Sequence, residues 1–166
     1  TPVIIFVNKM DREAKDPFDL LDELEEELAI LVRPLTWPIE SGVRFKGVYN
    51  IYENNLNLFQ PSKQVVAEKV EVDINTEELD NHIGSQLAEK LRNELELIEG
   101  VYPEFDVDDY LKGGLAPVFF GSALNNFGVE ELLNTFVEIA PCPRPVKAEE
   151  RDVQPDEQKF TGFIFK

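Results

Sequence analysis

Two short, unbroken apolar runs govern what this chain can fold into: Val3-Ile4-Ile5-Phe6-Val7 and, far downstream, Ala116-Pro117-Val118-Phe119-Phe120. A strand with one face in water alternates apolar and polar side chains. These runs do not alternate, so each reads as a strand buried on both faces, the pattern of a parallel sheet. Each ends in a polar loop and is followed by helical spacing. Behind the first, Asp16 precedes Pro17, an N-cap followed by a proline at the first helical position. Leu21, Leu24, Leu28 and Leu31 then recur at helical spacing, which predicts an amphipathic helix over 17–30 with acidic outer faces. Behind the second run, Val129, Leu132, Leu133, Phe136 and Val137 repeat the pattern. The fold class is therefore α/β, with two βα units.

The segment between them, about 31–115, differs in kind and reads as an α+β insertion. Thr36 to Ile39, Phe45 to Tyr52 and Leu56 to Phe59 are rich in strand formers, and Glu53-Asn54-Asn55 supplies a turn for a hairpin. Val65 to Val72 predicts a further extended segment. One helix is expected from Thr76 to Gly100 through Leu79, Ile83, Leu87, Leu91, Leu95 and Ile98, and a shorter one over 107–112 stopped by Gly113-Gly114. Pro141, Pro143, Pro145 and Pro155 punctuate a charged stretch, 141–158, that reads as a linker. Residues 159–166 then begin a strand without a partner. Thr1 opens the chain inside an apolar run with no initiator Met, so the expectation is a piece of something longer.

Charge and composition narrow the function. With 33 acidic against 16 basic side chains, the net charge of −17 argues against a duplex-binding module, which needs clustered Lys and Arg. No apolar run approaches the roughly 18–20 residues that span a bilayer, so no membrane partner is expected. The single cysteine, Cys142, cannot form an internal disulfide or a four-ligand zinc site, and a reducing, cytoplasmic setting is the expectation. His82 is the only histidine, which rules out multi-His metal sites; it reads as a helix-surface residue. Trp37, Phe45, Tyr49 and Tyr52 read as a local β core rather than a base-stacking platform, given so few cations.

The polar loops after the two apolar strands hold the chemistry, because ligands of open α/β sheets bind at the carboxyl ends of strands. The first is Asn8-Lys9-x-Asp11. Guanine presents N1–H and the N2 amine side by side, two donors that one carboxylate accepts together, and Asp11 suits that task. Adenine has neither hydrogen and would leave the carboxylate unpaired. Asn8 can serve the O6 and N7 edge, while the Lys9 stem covers a face of the base. A solvated polar turn is the other reading of these residues. The second loop is Gly121-Ser122-Ala123-Leu124. The small Ala123 lets its N–H approach the guanine O6, Ser122 can hold Asp11 by its hydroxyl, and Leu124 closes the motif. Alone, this tetrapeptide says little; at the equivalent strand end, it completes a guanine pocket.

Together these segments resemble the two base-recognition motifs of the translational GTPases. The resemblance extends to Asp11-Arg12, Asp16-Pro17, Thr36-Trp37-Pro38-Ile39, Phe45-Lys46-Gly47-Val48-Tyr49, 117–124 and 159–166, and is nearest the release factor 3 branch of that family. Elongation factor G shares the layout with more different wording. The resemblance implies a partial P-loop-GTPase-type sheet. Residues 1–140 would be the C-terminal part of a GTP-binding domain, 141–158 a linker, and 159–166 the start of a β-barrel domain. It implies GTP or GDP as ligand, with Mg2+ in the full-length parent. It also implies the ribosome, its large-subunit stalk protein and the stop-codon-reading release factors as partners.

No Gly-x4-Gly-Lys-Ser/Thr occurs: Gly42 and Gly47 have the spacing, but Val48-Tyr49 follow. No Asp-x-x-Gly occurs either. The expectation is a piece that carries base recognition, no Mg2+ ligands and no hydrolytic machinery, with strand edges that favour self-association.

Overall fold

The computed structural model describes residues 1–59, 68–143, 145–158 and 160–162. Strand β1 (Ile5–Val7) leads through the loop 8–16 into helix α1 (Pro17–Leu28). The helix starts where expected because Asp16 caps it, its carboxylate accepting from Phe18 N–H at 2.9 Å. It ends two residues earlier than predicted: Ala29 turns left-handed (φ 54°) and its N–H closes on the Glu25 carbonyl. The Glu25 side chain then accepts from Val32 N–H at 2.8 Å, pulling the chain back into a strand.

That strand, β2 (Leu31–Pro34), corrects the count of parallel strands. Residues 31–34, read from the sequence with the segment 31–115, pair with β7. They form the third strand of the parallel sheet, whose order is β1, then β7 (Leu115–Phe120), then β2. Ile5 lies opposite Val118 on one side of β7, and Leu31 opposite Leu115 on the other. Every residue of β7 is buried, as its unbroken apolar run requires. It is the central strand, paired on both sides, so of the strand edges expected to favour self-association it offers none; β1 keeps one unpaired edge among the described residues.

The insertion holds an antiparallel sheet ordered β3 (Thr36–Ile39), β4 (Gly47–Asn50), β5 (Asn55–Leu58) and β6 (Glu68–Glu71). The expected hairpin around 53–55 joins β4 to β5. Pro38 sits on the outer strand, where its missing N–H costs no ladder bond. Residues 60–67 lie outside the described residues, and with them the first part of the extended segment expected over 65–72. The single helix expected from 76 to 100 is two: α2 (Glu77–Ile83) and α3 (Ser85–Val101), divided at Gly84, whose φ of 89° no regular helix contains. Helix α4 (Val107–Lys112) ends at left-handed Gly113, as the glycine pair predicts.

The two sheets share one core. Trp37 of β3 is fully buried against Phe18 of α1 and Phe120 of β7, at ring-centroid distances of 4.7 and 5.6 Å. Its indole N–H donates to the Glu94 carboxylate of α3 at 2.8 Å. Burying a side chain of this size is worth a few kcal/mol. Leu35 is the junction: its N–H donates to the Val118 carbonyl in the parallel sheet, and its own carbonyl accepts from Ile51 N–H. Arg33 of β2 is buried because its guanidinium finds Glu99 and the Tyr102 carbonyl.

Helix α5 (Val129–Ile139) follows β7. Beyond it, the stretch read as a linker carries a two-residue-per-strand hairpin, β8 (Val146–Lys147) with β9 (Asp152–Val153). Of the terminal strand expected over 159–166, residues 159 and 163–166 lie outside the described residues, and 160–162 have no regular structure. His82 is exposed and Cys142 is exposed with a free thiol. Among the described residues, no helix is long and apolar enough to cross a membrane.

Candidate functional site

The loops leaving β1 and β7 lie side by side because their strands do. Gly121 N–H donates to the Val7 carbonyl, and Met10 N–H returns to the Gly121 carbonyl, both at 3.0 Å. For the chain to come back in this way it must turn sharply after Asn8, and Lys9 takes the left-handed conformation, φ 70°. A non-glycine residue held there stores strain, which concentrates at functional loops. Two contacts hold the turn. Asn8 Oδ1 accepts from Lys9 N–H at 2.8 Å, and Met10 buries its side chain to 1% exposure beneath the loop.

The second loop is built on close packing. A Cβ on Gly121 would lie 2.3 Å from the Phe127 carbonyl oxygen and 2.8 Å from the Phe6 ring, so only glycine fits there. Ser122 and Phe127 exchange backbone hydrogen bonds at 2.9 and 3.0 Å, which closes 122–127 into a compact turn. That turn leaves Ala123 and Leu124 exposed above it.

The six residues singled out from the sequence are thus gathered on two adjoining loops, and one bond joins the loops directly: Ala123 N–H donates to Asn8 Oδ1 at 2.9 Å. Two details differ from the sequence reading. The Ser122 hydroxyl does not hold Asp11; it accepts from Asn125 Nδ2 at 2.8 Å. The Ala123 N–H, assigned to a ligand oxygen, is taken by Asn8. Asp11 Oδ1 is buried and has no hydrogen-bond partner among the described residues. An orphaned carboxylate oxygen at a loop tip is costly unless something supplies a donor.

Sequence reasoning missed the supports: Met10, Phe127 and Asn125. A short 3-10 turn at Gly42–Arg44 after β3 is also attached, with Gly42 N–H donating to the Met10 carbonyl at 2.9 Å. Met10 between two polar neighbours was the one signal in the sequence that something packs under this loop. Chemically, the arrangement offers a partnerless carboxylate oxygen, an amide whose Nδ2 has no partner among the described residues, and a long apolar stem on Lys9. That set suits a flat, polar-edged ring with paired donors.

The family model described as the elongation factor Tu GTP-binding domain matches residues 1–142. A solved crystal structure of a protein from Thermus thermophilus is similar in fold, with a TM-score of 0.55 at 18% identity. The alignment covers 86% of this chain and 23% of that one, so the chain spans about a quarter of that protein's length.

Proposed function

Because the chain belongs to the elongation factor Tu GTP-binding domain family of translational GTPases, we propose that its two loops form the guanine-recognition site of such a factor. The observation that carries the assignment is the buried, partnerless Asp11 Oδ1, which guanine N1–H and N2–H would satisfy. In this reading Asn8 Nδ2 donates to the O6 and N7 edge and the Lys9 stem lies over the ring. Ala123 N–H shares itself between Asn8 Oδ1 and the guanine O6. Ser122 acts through the turn it holds with Asn125 rather than through Asp11, and Leu124 caps the loop. GTP or GDP is the ligand, with Mg2+ in the full-length parent. Among the described residues, no cluster of three or more His, Cys, Asp or Glu side chains could hold that ion.

The experiment is a base swap. Asp11→Asn in the intact factor turns preference from guanine toward xanthine nucleotides, because an amide donates where the xanthine 2-oxo group accepts. Unchanged guanine selectivity sinks the assignment. The chain alone is proposed to bind GDP weakly and to hydrolyse nothing, since phosphate contacts supply much of a GTPase's affinity. Calorimetry with GDP and Mg2+ checks this, and a micromolar constant would contradict it.

The finer reading is a termination factor of the release factor 3 branch, which speeds departure of the stop-codon-reading factors from the ribosome. Its support is the run of similar stretches from Asp11-Arg12 to residues 159–166. In that reading, 1–140 is the C-terminal part of the GTP-binding domain, 141–158 the linker and 159–166 the opening of a β-barrel domain. An elongation factor G-like parent draws on the same site. Release-factor recycling on ribosomes, measured with the intact protein, separates the two. A second role rests on the insertion, whose four-stranded sheet and helices α2 and α3 suit a protein-docking module facing the ribosomal stalk. Pull-down with stalk protein tests it.

A further inference from the structure

Two open clefts of about 410 and about 560 Å³ meet between the β4–β5 turn, the 72–75 loop and helix α3. They share Tyr49, Asn54, Ile74 and Asn75. The first has an apolar floor of Ile51, Ile74 and Leu95, and its α3 wall carries Glu96 and Glu99. The second is walled by Glu53, Glu71 and Asp73. Acid therefore lines both clefts, and the first adds an apolar floor. Among the described residues Arg92 is the one cation lining either cleft, and its guanidinium is committed to the Ile74 and Thr76 carbonyls and to Asp80, at 2.7, 2.9 and 2.5 Å.

Acidity alone would say nothing; Tyr49 says more. It borders both clefts and is 2% exposed, yet among the described residues its hydroxyl has no hydrogen-bond partner. The ring is buried while the hydroxyl oxygen is not sealed from the clefts it borders, which leaves that oxygen open to a donor entering them. Burial and the nearby Asp73 carboxylate push its ionisation above the ordinary range, so it stays neutral with lone pairs to accept from a cationic donor.

We propose that the joined cleft binds a linear aliphatic polyamine. One ammonium sits between the Tyr49 hydroxyl and Asp73, the methylene chain lies over Ile51, Ile74 and Leu95, and a second ammonium meets Glu96. An inorganic cation gains nothing from the apolar floor, and an anion is repelled by both walls. A lysine side chain has the stem and one charge but not the second.

Calorimetry on the whole chain at fixed ionic strength tests this with spermidine, n-butylamine and an acetylated Gly-Lys-Gly amide. Spermidine is expected to saturate one site, at least about tenfold more tightly than n-butylamine, since only the polyamine reaches both walls. Tyr49→Phe and Asp73→Asn each weaken it about tenfold, the loss of one charge-assisted hydrogen bond. Glu26→Gln, on the exposed side of α1, leaves it unchanged. Non-saturating heats, or equal weakening by Glu26→Gln, overturn the proposal in favour of diffuse counterion attraction. Tighter binding of the lysine peptide than of spermidine overturns it in favour of a protein side chain as occupant.

Discussion

Asn8 and Ala123, separated by 115 residues in sequence, are joined by a single hydrogen bond from the Ala123 N–H to Asn8 Oδ1. The same oxygen accepts from Lys9 N–H. One amide oxygen therefore sets the bend of the first loop and its distance from the second. The amide's nitrogen is left without a partner among the described residues.

Asn8→Ala is expected to lower the stability of this chain by about 1 kcal/mol, because two backbone donors lose their acceptor at a site that water partly reaches. Asn8→Asp keeps the acceptor and loses less. Denaturant midpoints of the two variants measure the difference.

Gly121→Ala places a methyl group where the Phe127 carbonyl and the Phe6 ring already sit. It is expected to cost about 1–3 kcal/mol by overpacking. Gly100→Ala, near the end of α3 with open space around its Cα, goes the other way by about 0.5 kcal/mol. Thermal unfolding of the pair reads both signs.

Asn57 on β5 is 1% exposed, and among the described residues neither its amide nitrogen nor its amide oxygen has a partner. Leucine has nearly the same shape without the polar atoms. Asn57→Leu is expected to stabilise the chain by about 1 kcal/mol, read as a raised urea midpoint at unchanged slope.

Glu94 tests a pH dependence. Burial raises its carboxyl pKa, and the Trp37 hydrogen bond and Lys90 only partly counter that. A raised folded value means that the stabilisation tied to the protonated form is present below the unfolded carboxyl pKa and fades as pH climbs through the folded one. Glu94→Gln keeps an acceptor for Trp37 and never acquires the charge. It is expected to be more stable than the parent by about 1 kcal/mol at pH 7. The advantage shrinks as pH falls through that window. Unfolding curves followed by Trp37 fluorescence report it.

What the sequence made legible was local. The β7 run, the Asp16-Pro17 helix start and the turn around Asn54 each declare themselves within a few residues. Strand β2 did not, because Leu31-Val32-Arg33-Pro34 contains a charge and a proline. Its burial depends on Glu99 and on β7, partners distant in the chain. The break at Gly84 stayed hidden because the apolar ladder from Leu79 to Leu91 runs through it in unbroken period. At the loops, the residue types pointed to paired donors on a ring. The bond between Ser122 and Asn125, and the use of Ala123 by Asn8, depend on backbone geometry that no residue type specifies.

The position of β7 between β1 and β2 has a consequence for the order of assembly. During synthesis the two outer strands emerge first, and the strand that must separate them is made last of the three. The pairing of Ile5 with Val118 closes most of the chain into one loop. The β3–β4–β5 meander needs only neighbours and can form while the slot stands empty. Until residue 120 is made, Ile5, Phe6 and Val7 lack the β7 side of their ladder, and in that interval this edge is open to wrong strand partners.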